Sequence, residues 1–172
     1  LNDPGQFTIQ IIGNTPPDVV ADVNRVSRDS SLDVLAQNGV LFNDSDPEAS
    51  NLTVSAVNGD VANLGTAVGG SNGGTFQINP DGSYTFDPGD DFSDLAQGAT
   101  RTTTINYTAD DGAGGDASTT LTVTVYAPVI TIVTLDSPTV DEGAQVTITA
   151  TVDNVVADSD LILTLGNGEI IT

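Results

Sequence analysis

The segment DDGAGGD, residues 110–116, gathers three carboxylates around a flexible, glycine-rich turn. Three kinds of chemistry are compatible with Asp110, Asp111 and Asp116 in this arrangement. The side chains can bond the backbone of a solvated turn, two of them can form a catalytic acid pair, or they can coordinate Ca²⁺, which prefers oxygen ligands. Glycine favours the last of these, because it lets backbone carbonyls turn toward an ion.

Two further acidic clusters are candidates for the same chemistry. Asp18 and Asp22 lie at a proline-rich joint, and Asp44, Asp46 and Glu48 occupy alternate positions of NDSDPE. Alternate residues of an extended chain share a side, so the sequence predicts that these last three carboxylates converge. Each cluster alone also fits a solvated turn whose Asp side chains bond nearby backbone.

The C-terminal part of the chain adds another acidic pair. Asp141 and Glu142 are candidate ligands at a further joint, although a solvated turn accounts for them better. The full set of candidate calcium ligands is Asp18, Asp22, Asp44, Asp46, Glu48, Asp110, Asp111, Asp116, Asp141 and Glu142.

The charge balance excludes two classes of partner. The sequence has 24 acidic residues and three basic ones, for a formal net charge of -21. Such a surface repels nucleic-acid phosphates and anionic lipid headgroups. We therefore expect no nucleic-acid partner and no membrane insertion. Clustered carboxylates oppose folding unless a cation neutralises them, so Ca²⁺ is the expected cofactor.

The absence of cysteine and histidine narrows the possible chemistry. The sequence contains no cysteine and no histidine. The Ser-His-Asp and Cys-His arrangements and the usual imidazole base are therefore missing, as are the ligands of typical zinc sites. We expect the chain not to be an enzyme.

Alternation of apolar and polar residues dominates the sequence and predicts β-strands. In TTTINYT the side chains of Thr103, Ile105 and Tyr107 share one face, and TTLTVTVY repeats the pattern. TFQINPDGSYTFD predicts a hairpin with its turn at 79–82. The hairpin residues predicted to face the core are Phe76, Ile78, Tyr84 and Phe86. Many such short strands predict an all-β fold built from antiparallel β-sandwich modules.

One segment, SSLDVLAQNGVLFND, departs from this alternation. A helical turn beginning at Ser31 would bury Leu32 and Leu35 and would end at Gly39. A bulged strand fits the same residues equally well, so both interpretations stay open.

Two proline-containing joints, GNTPPDVVAD and YAPVITIV, divide the chain. We expect residues 1–13 to be the closing strand of a preceding domain. Residues 14–127 have the length of one complete β-sandwich. Residues 128–172 hold too few strands to close a sandwich and are expected to be a partial β module, either truncated or half of a split domain.

Several motifs follow one another between the two joints: NTPPDVVAD, VLAQNGVLFNDSDPE, GGTFQINPDGSYTF, FSDLAQG and YTADDGAGG. In this order and spacing they resemble the VCBS-type, cadherin-like repeat of bacterial giant adhesins, over nearly all of residues 14–127. The later stretch SPTVDEGAQVTITATVDN resembles the start of another Ig-like adhesin repeat.

This resemblance implies β-sandwich modules strung end to end in a large surface or secreted protein of a Gram-negative bacterium, exported by a type I (RTX-style) system. It also implies Ca²⁺ at or near the junctions between modules. The family pattern carries over most directly to Asp44, Asp46 and Asp111, and less closely to Asp18 and Asp22. It does not imply catalysis.

The expected function is that of a calcium-stabilised extender, which rigidifies a tandem array for cell adhesion or biofilm formation on the bacterial surface. Its partners would be calcium ions and the neighbouring domains of the same chain, with any external glycan or protein bound through other modules. The alternative is an adhesin module that itself binds a carbohydrate or peptide. The absence of Trp and the core-facing aromatic residues count against that alternative.

Overall fold

The computed structural model describes residues 13–129 and two short strands farther along the chain. The predicted strand in residues 1–13 and the predicted module in 128–172 lie largely outside these residues. Strands within 13–129 are β1 Asp22–Ser27, β2 Leu32–Val34, β3 Thr53–Val57, β4 Val68–Gly69, β5 Thr75–Ile78, β6 Tyr84–Asp87, β7 Thr100–Asp110 and β8 Asp116–Tyr126. Two 3-10 turns cover Ala36–Asn38 and Val61–Asn63. Farther along, β9 Leu163–Thr164 pairs with β10 Ile170–Ile171.

These strands form two four-stranded sheets, which confirms the predicted all-β class. The first sheet has the order β1-β8-β7-β3 and the second has the order β2-β6-β5-β4. Pairing is antiparallel except between β1 and β8, which run parallel. The predicted antiparallel pairing therefore holds for the described module except between β1 and β8. Strand β1 is the first of the module, and it joins the edge of the sheet beside the last strand.

The predicted hairpin is β5–β6, and its inward residues lie in the core. Phe76, Ile78, Tyr84 and Phe86 are each 3% exposed or less. Phe76 and Phe86 are cross-strand partners whose ring centroids lie 4.5 Å apart. Burying each of these side chains stabilises the fold by about 1.5–3 kcal/mol. Because these rings are buried, they are not available to stack on a bound sugar.

The turn of this hairpin depends on one glycine. Gly82 has φ of +84°, which non-glycine residues rarely adopt, and its carbonyl accepts a hydrogen bond from Val40 N–H at 2.9 Å. A side chain at position 82 would also contact Leu41. The turn therefore holds segment 40–41 against the hairpin.

The segment that departed from alternation is a short strand followed by a 3-10 turn. Leu32 and Val34 face inward from β2, and the turn that follows ends at Gly39. Leu35 is 64% exposed, which excludes the alternative of a helical turn that buries it. The reason is the period of two: with Leu32 and Val34 on the inner face, the next residue points outward.

The chain enters and leaves the module at opposite ends of the long β7–β8 hairpin. At the incoming end, Asn14 contacts Asp111 beside the turn between these strands. At the outgoing end, Ala127 exchanges backbone hydrogen bonds with Gly98 and Ala99. Each strand of the hairpin has 11 residues, which corresponds to a length of about 35 Å. Among the described residues, no helix is long and apolar enough to cross a membrane.

Candidate functional site

The incoming end of the module brings most of the predicted site residues together, because the proline joint runs across them. Asp18 forms an isolated backbone bridge with Ser45, with N···O distances of 2.8 and 3.0 Å. The backbone N–H of Val20 donates to Oδ1 of Asp44 at 2.7 Å. Segment 14–22 is thus held against segment 44–48 by the acidic residues themselves.

Glu48 binds Thr15, the joint residue that follows Asn14. The Thr15 hydroxyl donates to Oε1 of Glu48 at 2.7 Å, and the Thr15 N–H donates to Oε2 at 3.3 Å. Both carboxylate oxygens therefore contact the joint. Glu48 is exposed, so additional ligands can reach it from solvent.

Asp111 is the acidic residue of the β7–β8 turn that faces the joint. It is 6% exposed, and its Oδ1 accepts the N–H groups of Ala113 and Gly115 at 2.7 and 3.0 Å. Its Oδ2 accepts the side-chain amide of Asn14 at 2.7 Å. The bond from Asn14, followed by those from the backbone, lowers the pKa of Asp111. Asp111 is therefore a carboxylate held in its charged form.

Asp110 and Asp116 close the same hairpin and lie opposite each other in the β7–β8 register. Like charges that face each other across two strands are destabilising. Oδ1 of Asp110 accepts the N–H of Gly112 at 2.7 Å, which stabilises the turn. The two carboxylates are thus neighbours in register, whereas Asp111 faces the joint.

Asp46 has the most unusual environment of the candidates. It is 9% exposed, and its Oδ1 accepts the N–H groups of Glu48 and Ser50 at 3.0 and 2.8 Å. Its Oδ2 is buried and has no hydrogen-bond partner among the described residues. A buried oxygen without a partner costs about 1–3 kcal/mol, and more when it is charged. This oxygen is suited to a cation.

The predicted convergence of Asp44, Asp46 and Glu48 does not occur. Each of these carboxylates contacts a different group, because turns replace the extended chain that alternation requires. The N–H of Ala49 donates to the carbonyl of Asp46, and Ala49 has a positive φ of 60°. Across the residues described, no group of three or more His, Cys, Asp or Glu side chains is close enough to hold a metal ion.

Asp44 instead joins Asp22 around a tyrosine. The Tyr107 hydroxyl lies 2.9 Å from Oδ2 of Asp22, 2.9 Å from Oδ2 of Asp44 and 2.8 Å from the carbonyl oxygen of Val40. Tyr107 is fully buried. Its hydroxyl carries a single hydrogen, so it donates to one of these three acceptors at a time.

Burial changes the proton affinities of this cluster. Desolvation raises the pKa of Asp22 to about 6 and also raises the pKa of Asp44. Desolvation, followed by the two carboxylates, raises the pKa of Tyr107. Two carboxylates around one hydroxyl therefore disfavour full ionisation and favour a bound proton or cation.

The three arginines of the chain lie at the outgoing end, away from these acids. Arg28 donates to the carbonyl oxygens of Ser93 and Leu95 at 3.2 and 2.5 Å. Arg101 forms a 2.6 Å ion pair with Asp94. Arg25 lies over the Tyr126 ring at 4.4 Å. Because the sequence has only these three basic residues, the carboxylates at the incoming end have no basic side chain as a counter-ion.

Sequence reasoning missed the polar role of Tyr107, which it assigned only to the core, and also missed Asn14 and Thr15. The available signal was the choice of Tyr over Phe at an inward position, since a buried phenol needs a hydrogen-bond partner. The remaining candidates, Asp141 and Glu142, lie outside the described residues.

Comparison with known proteins gives one family match. Residues 14–127 match the family described as the bacterial cadherin-like domain. No curated protein sequence matches the chain. A solved structure, described as a nucleoside hydrolase-related hypothetical protein from Saccharophagus degradans associated with carbohydrate metabolism, aligns with a TM-score of 0.39 and 16% identity. The alignment covers 66% of this chain and 26% of that chain, and a likeness at this level carries no argument about fold or function.

Proposed function

Since the chain belongs to the bacterial cadherin-like domain family, matched over residues 14–127, we propose that it is a calcium-stabilised extender module of a large bacterial surface adhesin. Bacterial cadherin-like domains are typically extracellular and fit an adhesion-type role. The finer role is to keep a tandem array of VCBS-type repeats rigid during adhesion or biofilm formation, after export by a type I (RTX-style) system. Its partners are Ca²⁺ and the neighbouring domains of the same chain.

The calcium proposal rests above all on Asp46. Its Oδ2 is buried without a hydrogen-bond partner among the described residues, and none of the three arginines lies nearby to neutralise it. A bound divalent cation would supply the missing partner and would neutralise the buried charge.

The side chains next to Asp46 fit a cation that prefers oxygen. Glu48 follows in the same turn, and Asp111 is connected to Glu48 through the adjacent joint residues Asn14 and Thr15. Ca²⁺ takes six to eight oxygen ligands, more than these carboxylates supply. We propose that water and a neighbouring domain complete the shell, which would make the site part of a junction between modules.

The positions of the two chain ends support the extender role. The chain reaches the module at the Asp111 end of the β7–β8 hairpin and leaves at the Ala127 end. Each module would therefore add the hairpin length of about 35 Å to an array. A metal at the incoming joint would limit bending at the point where two modules meet.

We also propose that the module is not catalytic. Without histidine or cysteine, a hydrolase would need a free carboxylate pair, whereas Asp46 and Asp111 are buried and bonded to backbone amides. A screen of chromogenic glycosides in Ca²⁺ is expected to show no release of product, and turnover would contradict the proposal.

Calorimetric titration with Ca²⁺, together with melting curves in Ca²⁺ and in EDTA, tests the proposal. Extracellular calcium modules have a Kd of about 10⁻⁴ to 10⁻³ M. A concentration of about 100 times the Kd would stabilise the fold by about 2.7 kcal/mol, so the Tm is expected to rise. Mg²⁺ is the control, because it favours a smaller octahedral shell. Equal Tm values in Ca²⁺ and EDTA, with no heat of binding, would overturn the calcium role.

A further inference from the structure

The first and last strands of the module lie side by side and point the same way. Strand β1 pairs in parallel with β8 from Asp22 opposite Leu121 to Ser27 opposite Tyr126. The chain continues beyond the module on both sides. We propose that this β1–β8 ladder is a mechanical clamp that carries tension along the array, an inference that rests on the proposed extender role.

The direction of the load follows from the topology. Tension on the preceding chain pulls β1 from its Asp22 end, while tension on the following chain pulls β8 from its Tyr126 end. Because the strands are parallel, these forces slide one strand along the other. All the hydrogen bonds between them are then loaded together, and none can open before the others. A pair pulled from the same end would instead separate one bond at a time.

Side-chain contacts connect β1 to both sheets and resist the same sliding motion. Asp22 contacts the hydroxyl of Tyr107 in the first sheet at 2.9 Å, and the amide of Asn24 donates to the Tyr84 hydroxyl in the second sheet at 2.7 Å. Val26 is buried in the core. Val23, on the opposite face, is 83% exposed and contributes little. The clamp therefore consists of the backbone ladder and the inward face of β1.

Backbone bonds fix both ends of the clamp to the rest of the module. Before β1, Asp18 bridges to Ser45. After β8, the Ala127 N–H donates to the carbonyl of Ala99 at 3.0 Å, and the Arg28 N–H extends the ladder itself by donating to the carbonyl of Tyr126 at 2.8 Å. These end contacts therefore bear the applied force together with the ladder.

Single-molecule force spectroscopy on the full chain tests this inference by changing only the direction of pulling. The sequence has no cysteine, so paired cysteine handles attach at unique sites. Handles at Gly13 and Val129 load the ladder in shear, and Gly13 has open space for a side chain among the described residues. Handles at Ser30 and Val129 pull both strands from the outgoing end and unzip the ladder from Ser27. Rupture force reports the unfolding barrier along each direction.

The first geometry is expected to rupture at a force several-fold higher than the second. Equal rupture forces would overturn the clamp. Repeating both measurements in Ca²⁺ and in EDTA separates this inference from the proposed function. Directional resistance without any effect of Ca²⁺ would support the clamp and contradict the calcium role. A calcium effect with no directional difference would contradict the clamp and support the calcium role.

Discussion

The Tyr107 hydroxyl lies 2.9 Å from Oδ2 of Asp22, so a side chain of β7 reaches past β8 to contact the edge strand β1. The same hydroxyl contacts Asp44 and the carbonyl of Val40. One buried phenol thus joins the first strand of the module, the loop after β2 and the core. The attachment of β1 therefore includes a buried polar contact at its first residue, in addition to the hydrogen bond from Asn24 to Tyr84.

Replacing Tyr107 with Phe is expected to destabilise the module while preserving its packing. The change removes the hydrogen that serves Asp22, Asp44 and Val40, and it leaves these acceptors partly buried. A lost partner of this kind costs about 1–3 kcal/mol. Urea denaturation at neutral pH, compared with the unmodified chain, measures the loss in the free energy of unfolding.

Tyr84→Phe is the matched control for that variant. The Tyr84 hydroxyl also lies at the edge of the core, but it accepts a single hydrogen bond, from Asn24. Its removal is expected to cost about 0.5–1.5 kcal/mol. Equal losses in the free energy of unfolding in the two variants would mean that the three acceptors around Tyr107 stabilise the module no more than one hydrogen bond does.

The stability of the calcium-free module is expected to fall as pH rises through about 6. The pKa of Asp22 is about 6 in the folded protein, against an ordinary value of 3.8, because burial disfavours its charged form. Between these pH values the folded state binds more protons than the unfolded state, so the free energy of unfolding decreases with rising pH. The contribution from Asp22 is fully present below pH 3.8 and is lost above about 6.

Melting curves in EDTA at a series of pH values test this dependence. Asp22→Asn is expected to flatten the decrease, because the amide does not titrate in this range. The pKa of Asp44 is raised as well, so part of the slope should remain. Asp111, whose pKa is lowered, acts in the opposite direction and removes stability at more acidic pH. A Tm of the unmodified chain that rises steadily from acid to neutral pH would refute the assignment.

The strands of the long hairpin could be predicted from the sequence because alternation is a local property. Thr103, Ile105 and Tyr107 are buried as predicted, since in a strand each residue faces opposite to its neighbours. The β5–β6 hairpin was predictable for the same reason, with a proline and a glycine fixing its turn. In both cases the information lies within a few consecutive residues.

The pairing of β1 with β8 could not be predicted in this way. Asp22 and Leu121 are far apart in the sequence, and neither strand carries a signal for the direction of its neighbour. The same limit applies to the contact between Asp22, Asp44 and Tyr107. The sequence shows the charge of the two acids, but the packing of the two sheets is what places the Tyr107 hydroxyl between them.

The partners of the acidic side chains were only partly predictable. Spacing placed Asp44, Asp46 and Glu48 on one side of an extended chain, whereas the backbone turns between Asp46 and Ala49, where the N–H of Ala49 donates to the carbonyl of Asp46. Asx turns such as that of Asp46 compete with extended structure, and alternation does not reveal which conformation prevails. The clustering of acids at the joint was nevertheless visible from composition and position.

Asp46→Asn is expected to abolish most of the rise in Tm that Ca²⁺ produces. The amide keeps the oxygen that accepts the N–H groups of Glu48 and Ser50, so the turn should persist. It removes the charge and the buried oxygen proposed to bind the cation. Melting curves in Ca²⁺ and in EDTA measure the difference directly.

Asp87→Asn is the matched control for that change. Asp87 makes a comparable turn, with its Oδ1 accepting the N–H of Gly89 at 3.0 Å, but it is exposed and belongs to the hairpin strand β6. The calcium-dependent rise in Tm should be unaffected in this variant. If Asp46→Asn also keeps the full rise, Asp46 is not a ligand.

Gly115→Ala is expected to detach the joint from the β7–β8 turn. A methyl group there would collide with Oδ2 of Asp111, with the side-chain amide of Asn14 at 2.8 Å and with the Cα atom of Pro16 at 2.9 Å. Because Pro16 meets it through backbone, the joint must move, which should break the bond between Asn14 and Asp111. Overpacking of this kind costs about 1–3 kcal/mol. Hydrogen exchange of the Asp18 amide, which donates to Ser45, should become faster.

Gly114→Ala separates that effect from backbone strain in the same turn. Gly114 has φ of +97°, which disfavours any side chain, yet no heavy atom of the described residues lies within 4 Å of an added methyl group. This variant should lose about 1–3 kcal/mol through strain alone, while the Asp18 amide keeps its protection relative to global unfolding. Equal acceleration of exchange at Asp18 in both variants would show that the joint responds to the conformation of the turn. Acceleration in Gly115→Ala alone would show that direct contact holds the joint in place.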